Sequence, residues 1–208
     1  MKLRSIIRTF APYAAAALLA GGMAHASTIT GTVFTTAPYP APLSPSQTPS
    51  GTNLGSFTVN QINFFSSGIP SSAYTVAGFL NSNGSVETGL PASTAAMSLN
   101  NKELQLMGNV SLVAGTTYTI THDDGIFLYL NGSNTCTICS GSPTVAAGSS
   151  FSVGTTGTYS FDLLYAEVNG APAVLDFPPT VTPEPSTFVL LGSGLLGAAG
   201  AVRRRMRI

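Results

Sequence analysis

The segment "THDDGIFLYLNG" holds a dense group of side chains that could do chemistry. Asp123 and Asp124 stand between a strand-like run that ends at His122 and an apolar run that begins at Gly125. Adjacent carboxylates repel each other, so the ionised pair needs a cation or hydrogen-bond donors. Hard oxygen ligands of this kind suit Ca²⁺ better than a soft metal. The residues alone leave two interpretations open, a Ca²⁺ site and an Asx-type turn whose two carboxylates are solvated.

The charges that surround this segment are unevenly distributed. The formal net charge of the chain is zero, but seven of its eight basic residues lie at the two ends, and Lys102 is the only one between them. The middle of the chain carries seven acidic residues and therefore a net charge of −6. An acidic body argues against nucleic acid as a partner, because phosphates require a basic surface. It is compatible with cations or neutral glycans.

The N-terminus has the layout of a secretory signal peptide. A basic start leads into an apolar run, and Ala24 and Ala26 supply the small side chains of a cleavage site. We therefore predict that residues 1–26 are a signal peptide, removed after Ala26, and that the protein is exported. The alternative is a short buried helix.

The C-terminus ends in an apolar run followed by arginines. Residues 186–202 are uncharged and, as a helix, would reach roughly 25 Å, slightly less than the bilayer core of about 30 Å. Flanking side chains can cover this shortfall. Arg203, Arg204 and Arg205 would act as a stop that holds residues 203–208 on the cytoplasmic side. The sequence predicts a transmembrane helix over 186–202, since a buried C-terminal helix would leave the arginines unexplained.

The tripeptide Pro183-Glu184-Pro185 directly precedes this run. A Pro-Glu-Pro motif, an apolar helix and a terminal arginine cluster together resemble the PEP-CTERM sorting signal of Gram-negative bacteria. In that family a membrane protease, exosortase, recognises the tripeptide and removes the tail. Its substrates are typically envelope or matrix proteins of species that make exopolysaccharide. The resemblance implies transient anchoring in the inner membrane, followed by release to the cell surface or extracellular matrix.

Residues 27–177 are predicted to form one all-β domain, a sandwich or jelly roll. Gly, Pro and Asn separate short alternating or β-branched runs, as expected for strands joined by turns. The proline-rich segment 38–49 is predicted to be a surface loop, and residues 178–185 a linker. The predicted strands are nine: "TITGTVF", "SFTVNQINFF", "AYTVAGFL", "LQLMGNVSLV", "TTYTITH", "GIFLYLN", "SFSV", "TYSFDLLYAE" and "PAVLDF".

Cys136 and Cys139 are the chain's two cysteines and lie three positions apart in "CTIC". In an exported protein this spacing favours a small disulfide. A thioredoxin-like redox pair would need a strand-to-helix setting, and zinc would need two further ligands. We predict the disulfide.

Two stretches, "HDDGIFLYLNG" and "GTYSFDLLYAEVNGAPAVLDF", resemble the paired core motifs of PA14-type β-sandwich domains. In the adhesin branch of that family the Asp pair holds Ca²⁺, which binds sugar hydroxyls with help from an Asn on a later loop. The resemblance implies that Asp123 and Asp124 are the Ca²⁺ ligands. The later position falls at Glu167, with Asn169 close by. An aromatic ring for stacking on a sugar could come from Tyr39, Tyr129 or Tyr165.

These features favour a non-catalytic envelope or matrix protein that binds glycans, such as exopolysaccharide, with Ca²⁺. One alternative is a polysaccharide-acting enzyme that uses Asp123 or Asp124 together with Glu167. Another is a purely structural matrix protein. The sequence has no G-x-S-x-G motif and only one histidine after residue 26, which argues against catalysis.

Overall fold

The computed structural model describes residues 28–36, 48–49, 51–66, 74–141, 145–168, 172–177 and 194. The predicted signal peptide, the linker 178–185 and the arginine tail lie outside these residues, as do most of the proline-rich loop and, apart from Gly194, the predicted transmembrane helix. No helix among the described residues is both long enough and apolar enough to cross a lipid bilayer.

The described residues form strands and two short helices. Apart from Gly194, all of them belong to one compact unit, Ala26–Thr182. The strands are β1 (Ile29–Thr35), β2 (Asn53–Val59), β3 (Asn63–Phe65), β4 (Glu87–Thr88), β5 (Lys102–Leu112), β6 (Tyr118–Asp123), β7 (Gly125–Leu130), β8 (Ile138–Ser140), β9 (Ala147–Phe151), β10 (Gly157–Glu167) and β11 (Val174–Asp176). The helices are α1 (Val76–Leu80) and α2 (Ala92–Ala95).

These strands build two antiparallel sheets. The larger sheet has seven strands in the order β4-β2-β1-β5-β10-β7-β8, and the smaller has four in the order β3-β11-β6-β9. Every pairing in both sheets is antiparallel. The prediction of an all-β sandwich is confirmed.

The core lies between the two sheets and follows from the alternation of side chains along each strand. On β10, Phe161, Leu163 and Tyr165 face inward, and on β6 Ile120 and His122 do so. The inward-facing buried residues of both sheets join in one main hydrophobic cluster. A strand with one buried face buries every second side chain, which accounts for this pattern.

The run "AYTVAGFL" is wrong as a strand prediction, since it contains α1. The Thr75 hydroxyl accepts a hydrogen bond from the Gly78 N–H at 3.0 Å and thereby caps the helix. Val76, Phe79 and Leu80 are all buried. Their spacing of three and four residues is that of one helical face, so packing decided this element.

Other strand boundaries also differ from the prediction. The run "SFTVNQINFF" divides into β2 and β3, which belong to different sheets. Asn60, in the break between them, accepts a hydrogen bond from the Val86 N–H at 2.8 Å. The sequence also missed β4 and β8, which have two and three residues and are too short to show a period.

Candidate functional site

The Asp pair lies where the chain passes from one sheet to the other. β6, in the smaller sheet, ends at Asp123, and β7, in the larger sheet, begins at Gly125. Asp124 is the single residue between them, and the peptide bond that joins it to Asp123 is cis. β10 pairs with β7 so that Ala166 lies opposite Gly125, and Glu167 follows at the same end of the sheet. We call Asp123, Asp124 and Glu167 the acidic corner.

The structure fixes the acidic corner from several sides. The Val168 N–H donates to Asp124 Oδ2 at 2.7 Å. The Tyr165 hydroxyl donates to the main-chain oxygen of Asp123 and lies 3.1 Å from Glu167 Oε2. Tyr165 on β10 and Val168, directly after β10, therefore hold both the main chain and the carboxylates of the corner.

All three carboxyl groups of the acidic corner are buried, with at most 3% exposure. Burial, together with the adjacent Asp124 carboxylate, raises the pKa of Asp123 to about 6. Negative charge is therefore concentrated away from solvent.

The hydrogen bonding of the Asp123 carboxylate is incomplete. Asp123 Oδ2 is buried and has no hydrogen-bond partner among the described residues. A buried carboxylate oxygen is costly unless a donor or a cation satisfies it. The donors here are hard oxygens, which fit Ca²⁺ or a similar cation. Within the described part of the chain, no group of three or more His, Cys, Asp or Glu side chains forms a ready metal site.

His122 contacts the main chain of the acidic corner, and the sequence analysis did not identify it as part of the site. Its ring is fully buried, with Nδ1 at 2.6 Å from the main-chain oxygen of Asp124. Nε2 lies 2.8 Å from Ser149 Oγ on β9. Burial lowers the pKa of His122 and favours the neutral ring. The available signal was its inward position in the alternation of β6, directly before the Asp pair.

The predicted disulfide between Cys136 and Cys139 is confirmed, with the two Cα atoms 5.8 Å apart. Cys136 packs against a small apolar cluster of Phe127, Tyr129 and Leu164. This cluster lies outside the main core, so the disulfide closes the β7–β8 turn over a second apolar patch.

The proposal of a stacking ring from Tyr129 or Tyr165 is wrong. Tyr165 is fully buried and stacks on Phe79, with ring centroids 5.7 Å apart. Tyr129 is only 1% exposed, because it belongs to the apolar cluster beside Cys136. Neither ring offers a face to a sugar, and Tyr39 lies outside the described residues.

Several other predicted site residues also lie outside the described part of the chain. The cleavage, sorting and stop residues therefore stay predictions, as does the role of Asn169 beside Glu167. They are Ala24, Ala26, Asn169, Pro183, Glu184, Pro185, Arg203, Arg204 and Arg205.

Comparison with a protein-family model identifies the end of the chain. Residues 181–205 match the PEP-CTERM protein-sorting motif. This match covers the tripeptide, the apolar run and the three consecutive arginines. It confirms the first resemblance and indicates an exported protein. No curated protein matches the chain.

Comparison with solved structures identifies the fold. The PA14 domain of the MpAFP antifreeze protein has a TM-score of 0.50 and 19% identity, covering 71% of this chain and 78% of that one. The PA14 sugar-binding domain from an RTX adhesin has a TM-score of 0.49 and 19% identity, covering 72% and 86%. The epithelial adhesin 9 A domain from Candida glabrata, in complex with Galb1-4GlcNAc, has a TM-score of 0.42 and 12% identity, covering 71% and 78%.

The described body is thus a β-sandwich of the PA14 type. The chain as a whole combines this sandwich with a C-terminal PEP-CTERM sorting motif.

Proposed function

We propose that this chain is an exported, non-catalytic envelope or matrix protein that binds glycans through Ca²⁺ at the acidic corner. An exosortase would sort it through the PEP-CTERM motif, in a Gram-negative bacterium. The observation that supports the Ca²⁺ site most directly is the buried, unsatisfied Asp123 Oδ2 beside Asp124. A cation at this point would satisfy the oxygen and offset the repulsion between neighbouring carboxylates.

In this proposal Asp123 and Asp124 supply the carboxylate ligands, with Glu167 and Asn169 as further oxygen donors. Ca²⁺ takes six to eight oxygen ligands, so sugar hydroxyls can complete its coordination. The RTX-adhesin domain is a PA14 sugar-binding domain, and the Candida glabrata domain was solved in complex with Galb1-4GlcNAc. A neutral glycan also suits an acidic body, which would repel anionic polymers.

The proposed role is binding rather than catalysis. The carboxylates of the corner are held by the Val168 N–H and the Tyr165 hydroxyl and are buried. Such fixed, buried groups suit ligation of a cation better than proton exchange with a substrate. Hydrolysis of a glycan by the wild-type chain, abolished by Glu167→Gln, would show instead that the corner is an active site.

The glycan proposal is tested by a glycan array probed with the full-length chain in mild detergent. We expect binding in Ca²⁺ that is lost in chelator and lost in the double variant Asp123→Asn, Asp124→Asn. The matched control is Asp162→Asn, because the Asp162 carboxylate is held by Gln105 on β5 at 3.0 and 3.1 Å, away from the corner. Glycan binding that chelator does not change would refute the Ca²⁺ mechanism.

The sorting proposal is tested by intact mass spectrometry of the protein exported by its native host. We expect a species that lacks residues 1–26 and the segment that follows Pro185. Glu184→Ala should retain the tail, whereas the control Glu87→Ala, on β4, should be processed normally. A cytosolic product with both ends intact would contradict export.

A further inference from the structure

Two groups anchor the main chain of the acidic corner from inside the protein, one from each sheet. Tyr165, on β10, donates to the main-chain oxygen of Asp123. His122, on β6, contacts the main-chain oxygen of Asp124 through Nδ1 at 2.6 Å. Both main-chain oxygens of the Asp pair therefore have partners inside the protein.

The hydrogen bonds of His122 have a defined direction. A carbonyl oxygen only accepts, so Nδ1 carries the proton and donates to Asp124. In the neutral ring Nε2 is then an acceptor, and the Ser149 hydroxyl donates to it at 2.8 Å. Both ring nitrogens are engaged within the protein, which leaves neither of them as a metal ligand.

Ser149 connects the corner to the edge of the smaller sheet. It lies on β9, opposite Ile120 of β6, and is half-buried. Its neighbour Ser150 points to the other face of the strand, where its hydroxyl meets that of Thr119 at 2.8 Å. One strand thus carries two serines, and only one of them contacts His122.

We propose that His122, oriented by Ser149, is a positioning residue for the Ca²⁺ site of the acidic corner. This inference rests on the proposed function. His122 contacts the main-chain oxygen of Asp124, and the Val168 N–H donates to its Oδ2. These two contacts fix the orientation of the Asp124 carboxylate before a cation binds. Partners that hold the ligands of a metal in this way typically contribute about 10–100-fold in metal affinity.

The test measures Ca²⁺ affinity by isothermal titration calorimetry on the full-length chain in mild detergent, without any glycan. We expect Ser149→Ala to weaken Ca²⁺ binding roughly tenfold. Ser149→Thr keeps the hydroxyl and should restore most of the affinity. The matched control Ser150→Ala makes the same change on the same strand and should stay within about twofold of wild type.

A second measurement separates positioning from general loss of structure. The chain has seven tyrosines and no tryptophan, so Tb³⁺ bound at the corner can be excited through tyrosine. The luminescence lifetime should report more bound water in Ser149→Ala than in wild type, while the thermal midpoints in chelator stay alike. If Ser149 acts through His122, adding Ser149→Ala to His122→Asn should cause little further loss of affinity.

The possible outcomes are distinct. If wild type binds no Ca²⁺, the proposed function and this inference both fall. If wild type binds Ca²⁺ and Ser149→Ala binds it equally well, only the positioning role is wrong. Equal losses in Ser149→Ala and Ser150→Ala, or additive losses in the double variant, would likewise overturn it.

Discussion

Buried carboxyl groups define this protein at the scale of single residues. The acidic corner accounts for three of them, and Glu103 on β5 is a fourth, with 5% exposure. Glu103 lies opposite Phe34 of β1 and Ala166 of β10. Burial raises its pKa from an ordinary 4.5 to about 7. The protein thus carries an acid that is protonated near neutrality outside the proposed Ca²⁺ site.

Glu103 should make stability depend on pH. Its raised pKa means that the folded chain binds a proton more tightly than the unfolded chain. Its contribution to the free energy of unfolding is therefore greatest below pH 4.5, falls as the pH rises to about 7, and is absent above that. We expect Glu103→Gln to be more stable than wild type at pH 8 by about 1–2 kcal/mol, after allowance for solvent screening.

Urea unfolding at pH 5 and pH 8, in chelator, measures this effect. Between pH 5 and pH 8, the free energy of unfolding should fall less in Glu103→Gln than in wild type. Glu87→Gln, on the short strand β4, is the control for loss of one carboxylate. If the free energy of unfolding depends on pH identically in wild type and Glu103→Gln, ionisation of Glu103 does not destabilise the folded chain.

At the scale of elements, close approach between strands constrains the larger sheet. Gly31 of β1 lies opposite Phe57 of β2, and the Phe57 ring covers it. A Cβ added at Gly31 would lie 2.2 Å from Phe57 Cζ. The ring can pack there only because the glycine has no side chain.

We expect Gly31→Ala to lower the free energy of unfolding by about 1–3 kcal/mol, because the Phe57 ring must leave its place in the core. Gly157→Ala on β10 is the matched control, since a Cβ there meets no atom within 4 Å. Chemical denaturation of both variants provides the comparison. Equal stability of Gly31→Ala and Gly157→Ala would mean that the Phe57 ring can move without lowering the free energy of unfolding.

At the scale of the whole molecule, the acidic corner lies where the two sheets are connected through Asp124. A cation held there would bind the folded chain and not the unfolded one, and would therefore stabilise it by mass action. We expect Ca²⁺ at about 100 times its dissociation constant to add roughly 2.7 kcal/mol of stability. Differential scanning calorimetry should show a higher thermal midpoint for wild type in Ca²⁺.

Asp124→Asn should show no such increase in thermal midpoint, while Asp162→Asn should respond as wild type does. A calcium-induced rise that persists in Asp124→Asn would place the cation elsewhere on the molecule.

The amino-acid sequence by itself determined the β-sandwich class, the sorting motif and the disulfide, since each of these depends on local order. Alternation along β6 and β10 reveals the inward face, and the motif and the cysteine pair are contiguous segments. The sequence also pointed to Asp123, Asp124 and Glu167, through a resemblance that joins two separate stretches.

Only the tertiary structure decided which side chains support that site and which are hidden from it. His122 and Ser149 are 27 residues apart, and Tyr165 and Asp123 are 42 apart. Such contacts depend on how strands pair and sheets pack, which no local pattern encodes. The same packing buried Tyr129 and Tyr165 and turned "TVAGFL" into a capped helix, because the burial of a face outweighs the weak preference of a short segment.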